Sequence, residues 1–437
     1  MFTAELTTQV DAIWRAFAQT GITDPVEVVD QITRVLADRT RPDRADIRSE
    51  SPPNTLPAHL LSELSELLDS PLLQAPATME RFYDHLTGKL GAHITAVVTP
   101  SHIVRLMVAL AEPTPEDTII DPAVGTAGLL VAAAEYLREH HPRVGRDGGP
   151  RDHINNEAFT GVESDASLSR IATTNLRLHG VQNATIVNRD SLAEPSDGHG
   201  SEASNPDLFS LVLANPPLSG SRDLASTSRH LLSVVKTKKT EQLFLAHVLG
   251  LLSPGGRAVV VVPDSMLFGM SKTHKDLRRM LVEDHNLEAI VRLPAGVFRP
   301  HSAASASIVL VRKSGATDRV WFYDVRADGV TPDAKGALTD ANDLPDAIAR
   351  WRSLSGLSAP GAEVAEAGRP RTAQSFLVPR AELASHDYDL TFSRYRIAFA
   401  EHIMHRTPND ILIEIARLEL QIQQAAAALA RSLGEPQ

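Results

Sequence analysis

Two segments of this 437-residue chain place side chains where they could do chemistry. The first is Asp121-Pro122-Ala123-Val124-Gly125-Thr126-Ala127-Gly128-Leu129-Leu130, which follows a short apolar run and opens a helical one. Glycines at such a strand-to-helix turn let the backbone approach a ligand closely. Glu163 closes the next apolar run and Asp190 follows the third. A carboxylate ending the second strand can accept both hydroxyls of a ribose, and an acid after the third can meet an adenine amino group. Turn, ribose carboxylate and third-strand acid together point to a nucleoside cofactor. For Gly125 and Gly128 taken alone, a simple tight turn is the alternative.

The second segment is Leu213-Ala214-Asn215-Pro216-Pro217-Leu218. Two consecutive prolines fix φ and remove two backbone donors, and they keep Asn215 out of the helical region. The result is a rigid turn that aims the Asn215 amide and the Pro216 carbonyl at one place. Both oxygens can accept from a single NH₂ group. That arrangement suits an exocyclic amine attacking a methyl group, with no strong base needed.

These turns need strands to carry them. Thr118–Asp121, Phe159–Glu163, Thr185–Asn188 and Leu208–Ala214 read as four strands. Helical runs at Leu129–Leu137 and Ala166–His179 separate the first three. A helix at Thr240–Leu252, a strand at Ala258–Pro263, a helix at Lys272–Asp284 and strands near 287–293, 305–312 and 320–323 follow. Strands alternating with helices predict an α/β fold with a mostly parallel, doubly wound sheet. Ligands bind such sheets at the carboxyl ends of the strands, near the switch in strand order.

Around this core, Leu6, Val10, Ile13, Trp14 and Phe17 recur at helical spacing, as do Val28, Val29, Ile32, Val35 and Leu36. Arg39 to Pro57 is polar and proline-rich and reads as a linker; the stretches 143–153 and 194–206 read as surface loops. Near the end, Ile411, Ile415, Leu418, Ile422, Ala425 and Leu429 recur in steps of four and three, the pattern of a heptad seam, which would pack either on its own domain or in a coiled coil with a partner subunit. We therefore divide the chain into a helical N-terminal domain (1–80), a sheet domain (81–330), an irregular extension (331–395) and a C-terminal helical segment (396–437).

Composition bounds the function. The absence of cysteine excludes disulfides, thiolate zinc sites and cysteine nucleophiles; no metal-ligand set stands out. No run offers the ~20 apolar residues of a membrane span, and the acidic start argues against a signal peptide, so a cytoplasmic protein is expected. A net charge of −11 means that contact with nucleic acid must use a local basic patch or a basic partner. Lys236, Lys238 and Lys239, in a loop after the Asn-Pro-Pro turn, are candidates for phosphate contact, with a solvated loop as the alternative. His140-His141 reads as surface.

The DPAVGTAGLL turn and the ANPPL strand end resemble motifs I and IV of the amino-group DNA methyltransferases. From about residue 80 onward the chain resembles the methylation (modification) subunits of type I restriction-modification systems. The resemblance also takes in the Thr99-Pro100 segment, Thr174-Asn175-Leu176, Glu241-Gln242-Leu243-Phe244, the run from Val262-Pro263-Asp264 to Phe268, Arg292 to Phe298, and Tyr388-Asp389-Leu390. It implies a Rossmann-like methyltransferase sheet, S-adenosylmethionine as methyl donor, and adenine in double-stranded DNA as acceptor, flipped into the cleft. It implies that Thr99 and Pro100 lie near the methionine end of the cofactor, and that Asp121, Ala123, Gly125, Thr126, Gly128 and Asn215 line it. Glu163 would bind the ribose and Asp190 would sit near the adenine. Asn215, Pro216, Pro217 and Leu218 would hold the target base. Two modification subunits and one specificity subunit form the family's complex, sometimes with a restriction subunit. The heptad helix would pack on the specificity subunit, and the setting would be the bacterial cytoplasm.

Three positions depart from the family pattern. Leu218 stands where an aromatic usually stacks on the flipped base, a contact worth roughly 1–3 kcal/mol in comparable cases. Ala127 replaces a glycine, where a methyl would crowd the cofactor or demand φ below zero. Leu129 replaces an aromatic. These departures suggest, as an alternative, a catalytically weak or silent homologue that binds cofactor as a scaffold or sensor. Enzymes that methylate protein glutamine amides also use Asn-Pro-Pro turns, but the helical ends and the Tyr388-Asp389-Leu390 tail argue against that class.

Overall fold

The computed structural model describes residues 4–40, 56–68, 82, 83, 86, 99–142, 153–194, 209–299, 302, 304–331, 338–355, 366–397, 412 and 416–424. Most of the expected linker 39–57, the loops 143–153 and 194–206, and the seam positions Ile411, Ile415, Ala425 and Leu429 lie wholly or largely outside these residues. The chain forms two compact units, Met1–Arg396 and Ile397–Gln437.

In the first unit, helices α1 (Ala4–Gln19), α2 (Pro25–Thr40), α3 (Ala58–Leu68) and α4 (Ser101–Ala111) precede the sheet. Then come β1 (Ile119–Asp121), α5 (Gly128–His140), β2 (Phe159–Glu163), α6 (Ala166–Leu178), β3 (Thr185–Asn188) and β4 (Phe209–Ala214). After α7 (Arg229–Val234) and α8 (Thr240–Leu251) come β5 (Leu252–Pro263), α9 (Ser265–Phe268), α10 (Lys272–Arg279), β6 (Asn286–Arg292), β7 (Ala306–Arg312) and β8 (Arg319–Asp324). The unit closes with β9 (Asp328–Val330), β10 (Leu338–Asn342), α11 (Leu344–Leu354), β11 (Ser375–Pro379), α12 (Arg380–Ser385) and α13 (Phe392–Tyr395).

Nine strands form one sheet in the order β11-β8-β6-β7-β5-β4-β1-β2-β3. From β3 to β5 every neighbouring pair is parallel, and β7 inserts antiparallel between β5 and β6. The chain runs outward from β1 through β2 to β3, then returns to the other side of β1 for β4. The switch in strand order therefore falls between β1 and β4. The doubly wound α/β expectation holds, with an antiparallel extension at one edge.

Alternation along the strands explains the two cores. Side chains on a strand point to opposite faces at successive residues. Ile119, Leu211, Leu213, Val259 and Val261 enter one core with α4, α5 and α11. Ile120, Val212, Ala214, Ala258, Val260 and Val262 enter the other with α8 and α10. Each fully buried Leu, Ile or Val contributes about 1.5–3 kcal/mol, so neither core tolerates a polar substitution.

Packing qualifies two of the divisions expected from the sequence. The N-terminal helices are not isolated; they cap the domain that follows. Val10, Phe17, Val28 and Ile32 share a core with Leu168 and Ile171 of α6. Asp30, itself buried, accepts two bonds from Arg170 of α6, at 2.7 and 2.9 Å. Nor is 331–395 irregular: it supplies α11, and β11 pairs with β8 to extend the main sheet. In the second unit, residues 416–424 are helical, and the seam positions Leu418 and Ile422 are exposed.

Candidate active site

Strand β1 ends at Asp121, β2 at Glu163 and β4 at Ala214, all on the same edge of the sheet. A cleft at this edge is lined by Thr99, Val104, Asp121, Ala123, Val124, Gly125, Thr126, Gly128, Leu129, Leu168 and Asn215. It lies at the switch between β1 and β4, where α/β sheets bind ligands. It brings together eight of the residues singled out in the sequence: Thr99, Asp121, Ala123, Gly125, Thr126, Gly128, Leu129 and Asn215.

The β1 turn is held by a polar network. Asp121, 2% exposed, accepts the Ala123 N–H at 2.9 Å. Glu163 accepts the Gly125 N–H at 3.1 Å with one oxygen and the Asp165 N–H at 3.0 Å with the other. The Asn175 amide donates to the Thr126 carbonyl at 2.8 Å, and the Ser191 hydroxyl donates to the Pro122 carbonyl. Gly125 has φ +53°, a left-handed conformation natural to glycine. A Cβ built on Gly125 or Gly128 would meet no atom within 4 Å, so open space faces both residues in the cleft.

Burial pushes the Asp121 carboxyl up to about 7; the Ala123 N–H opposes this and nearby Glu163 adds to it. Asp121 thus holds its proton far more readily than an ordinary carboxyl, and it caps the turn. Glu163, at the end of β2, is not among the residues that line the cleft; its carboxylate braces the turn by accepting from the Gly125 and Asp165 N–H groups.

The β4 turn is built differently. Pro216 is buried and Pro217 half-buried, and Asn215, 7% exposed, projects into the cleft. Its Nδ2 donates to the Thr99 Oγ1 at 2.7 Å. That bond fixes the orientation of the amide within the cleft.

Other expected site residues sit elsewhere. Leu218 does not line the cleft; it is 4% exposed and packs in the core with Leu213, Val291 and Phe298. The Ala127 methyl does not crowd the cleft and its φ is not below zero. It is fully buried in that same core at φ +67°. Asp190 lies outside the cleft lining: its Oδ2 pairs with Arg222 at 2.5 Å and its Oδ1 accepts the Leu192 N–H. Pro100 caps α4, accepting from Ile103 and Val104.

Sequence reasoning missed three contributors. Val104 and Leu168 supply apolar walls, signalled only by helical periodicity. Arg222 ties the loop after β4 to the one after β3, a pairing that no local pattern announces.

A sequence profile of the N-6 DNA Methylase family matches residues 78–402. The methylase subunit of the type I restriction enzyme EcoEI from Escherichia coli is 31% identical over 227 residues, covering 52% of this chain and 44% of that protein. The EcoKI methylase subunit from E. coli K12 is 30% identical over 256 residues, covering 56% and 47%. The matched segments thus span under half of these relatives' own length. Among solved structures, a chain from a type I restriction-modification assembly superposes with a TM-score of 0.69 at 22% identity, covering 98% of both chains. The EcoKI M protein superposes with a TM-score of 0.55 at 20% identity, covering 99% and 97%. At these identities the superpositions establish the fold.

Proposed function

Because the chain belongs to the N-6 DNA methylase family, we propose that it transfers a methyl group from S-adenosylmethionine to the exocyclic amine of adenine in DNA. One observation carries this reading: the amide of Asn215 and the glycine turn after β1 open into a single cleft. The acceptor for an amine and the cradle for a nucleoside are thereby held side by side.

The residues present suit that cofactor. The space facing Gly125 and Gly128 leaves room for a ligand against the backbone. Glu163 would take the ribose hydroxyls, and Thr99 with Asp121 would line the amino-acid end. When bound, S-adenosylmethionine supplies an electrophilic methyl group. The chain's own task is then to hold the amine. The Asn215 Oδ1 and the Pro216 carbonyl accept its two hydrogens and turn its lone pair toward the cleft. The developing positive charge on nitrogen strengthens both bonds, so they stabilise the transition state more than the ground state. Burial of Asn215 keeps water from competing for the same oxygen.

We further propose that the chain works beside a specificity subunit that reads the DNA sequence, with a second copy of itself and, in some assemblies, a restriction subunit. The exposed apolar residues of the C-terminal helix are the docking candidates. A companion that reads the bases is compatible with a net charge of −11. Host DNA places this work in the cytoplasm.

A second reading, a cofactor-binding scaffold with weak or silent transfer, is favoured by the burial of Leu218. The turn brings no ring to stack on a flipped base. Incubating the chain and its companion subunit with tritium-labelled S-adenosylmethionine and host DNA lacking the modification separates the two. Label recovered as N6-methyladenine supports transfer. Cofactor binding without label in DNA overturns it in favour of the scaffold.

A further inference from the structure

At the end of the sheet that carries the Asn-Pro-Pro turn, two apolar side chains stand outside the core. Strand β5 runs parallel to β4 with Val260 opposite Ala214, so the loop after Pro263 leaves the sheet at the same edge as Asn215. In that loop Met266 and Leu267 are buried, whereas Phe268 is 50% and Met270 77% exposed.

The loop is built to hold them there. Arg278, 2% exposed, donates to the carbonyls of Gly269 at 2.8 Å and Met266 at 3.2 Å, and to that of Tyr388 at 2.6 Å. The Leu390 N–H donates to the Leu267 carbonyl at 3.0 Å. A buried guanidinium is costly unless its donors are satisfied, and here carbonyls of the loop satisfy them. Fixing a loop this firmly only to leave Phe and Met in water does nothing for the fold.

The surroundings identify the partner. A connected path of contacts runs from the catalytic turn to this loop. Thr240 N–H donates to the Gly220 carbonyl, Arg222 N–H to the Lys238 carbonyl, and Gln242 bonds His274 at 3.0 Å. His274 in turn lies against Gly269 and bonds the Ser271 hydroxyl. Lys236, Lys238 and Lys239 are exposed along this path, a concentration of positive charge in an acidic chain. Exposed apolar side chains joined by contacts to a lysine-bearing loop fit a duplex: phosphates for the lysines, a base step for the apolar tip. A protein surface would not call for that charge.

We propose that Phe268 and Met270 form a wedge that enters the DNA stack beside the adenine drawn into the cleft, filling the gap the base leaves. Proteins that unstack DNA insert Phe, Met or Leu in this way, and extrusion of a base costs a few kcal/mol that such filling offsets. The inference rests on the DNA methyltransferase reading.

The test compares two fluorescein-labelled duplexes, one fully paired and one carrying a single abasic site, where the gap already exists. Wild-type protein should bind the abasic duplex about tenfold more tightly, a difference of roughly 1.4 kcal/mol. Phe268→Ser combined with Met270→Ser should erase that preference while leaving affinity for the paired duplex and its salt dependence unchanged. Phe268→Trp should keep it. Because both side chains are exposed, the variants should melt with the wild type. A double variant that keeps the preference overturns the wedge, as does one that loses both duplexes equally. One that binds DNA normally but no longer co-purifies with its companion subunit overturns it in favour of a protein contact. Wild-type methyl transfer with unchanged preference in the variant sinks the wedge alone. A wild type that binds neither duplex sinks the wedge and the reading beneath it.

Discussion

The two turns that meet at the switch point reach rigidity by opposite means. The turn after β1 is stitched by side chains from four places: Asp121 itself, Glu163, Asn175 and Ser191. The turn after β4 relies on two prolines, with the Asn215 amide donating to Thr99. The difference matches the tasks proposed for the two turns. A large cofactor is grasped over many atoms, so its cradle must be fixed along its whole length. A small amine needs one amide aimed correctly, and covalent restriction of φ is enough for that.

Perturbations should therefore split by turn. Asn215→Ala should lower methyl transfer by roughly 100- to 1,000-fold, the loss seen when one preorganised hydrogen-bonding group is removed from a reacting centre. Cofactor affinity measured by calorimetry should barely change. Equal losses in both would mean that the two turns are not separable. Glu163→Ala should do the reverse first: it removes charge-assisted bonds worth about 1.5–3 kcal/mol, so cofactor should bind on the order of 10- to 100-fold more weakly. It should also loosen the Gly125 turn, seen as faster amide exchange there.

Asp121→Asn sharpens the comparison through pH. The Asp121 pKa rises on folding to about 7 from an ordinary 3.8. Its contribution to stability is fully present below pH 4 and is lost as pH rises through 7. Asparagine keeps the bond to Ala123 and does not ionise. The variant should melt with the wild type at pH 4 and several degrees above it at pH 8, corresponding to a few kcal/mol at most. A constant offset across pH would refute this account.

Leu218→Phe tests the other turn. A larger side chain forced into a packed core costs typically 1–3 kcal/mol, so denaturant midpoints should fall and transfer should not improve. A rate gain would show that position 218 can face the cleft after all. The smallest effect belongs to Ala127→Gly. Relief of a left-handed alanine, about 1 kcal/mol, is largely offset by the freer unfolded chain and the lost methyl. A stability change under about 1 kcal/mol, measured by urea titration, is expected.

These tests also mark what the sequence could and could not say. Strand ends carrying Asp121, Glu163 and Asn215 were legible because periodicity and proline positions are local properties. That Leu218 turns inward was not, because the direction of a side chain beyond two prolines depends on how the turn leaves the sheet. Ala127 misled for a related reason: only the fold reveals that its φ is positive and that its methyl has a place in the core. Asn175 stood within a noticed motif, but its bond to Thr126 spans 49 positions. Strand β11 escaped because it joins the sheet across the fifty residues between Asp324 and Ser375, beyond the reach of any periodic pattern.

Helix α6 has a final implication for anyone cutting this chain into pieces. Leu168 is at once a wall of the cleft and a member of the N-terminal core, and Arg170 beside it is clasped by Asp30. A fragment begun at residue 81, where the composition invites a cut, would keep every residue proposed to act in catalysis. It would also expose Ile171 and leave Arg170 without its partner, so the helix forming one side of the cleft would lose its backing. The smallest autonomous catalyst in this protein is therefore larger than its catalytic sheet.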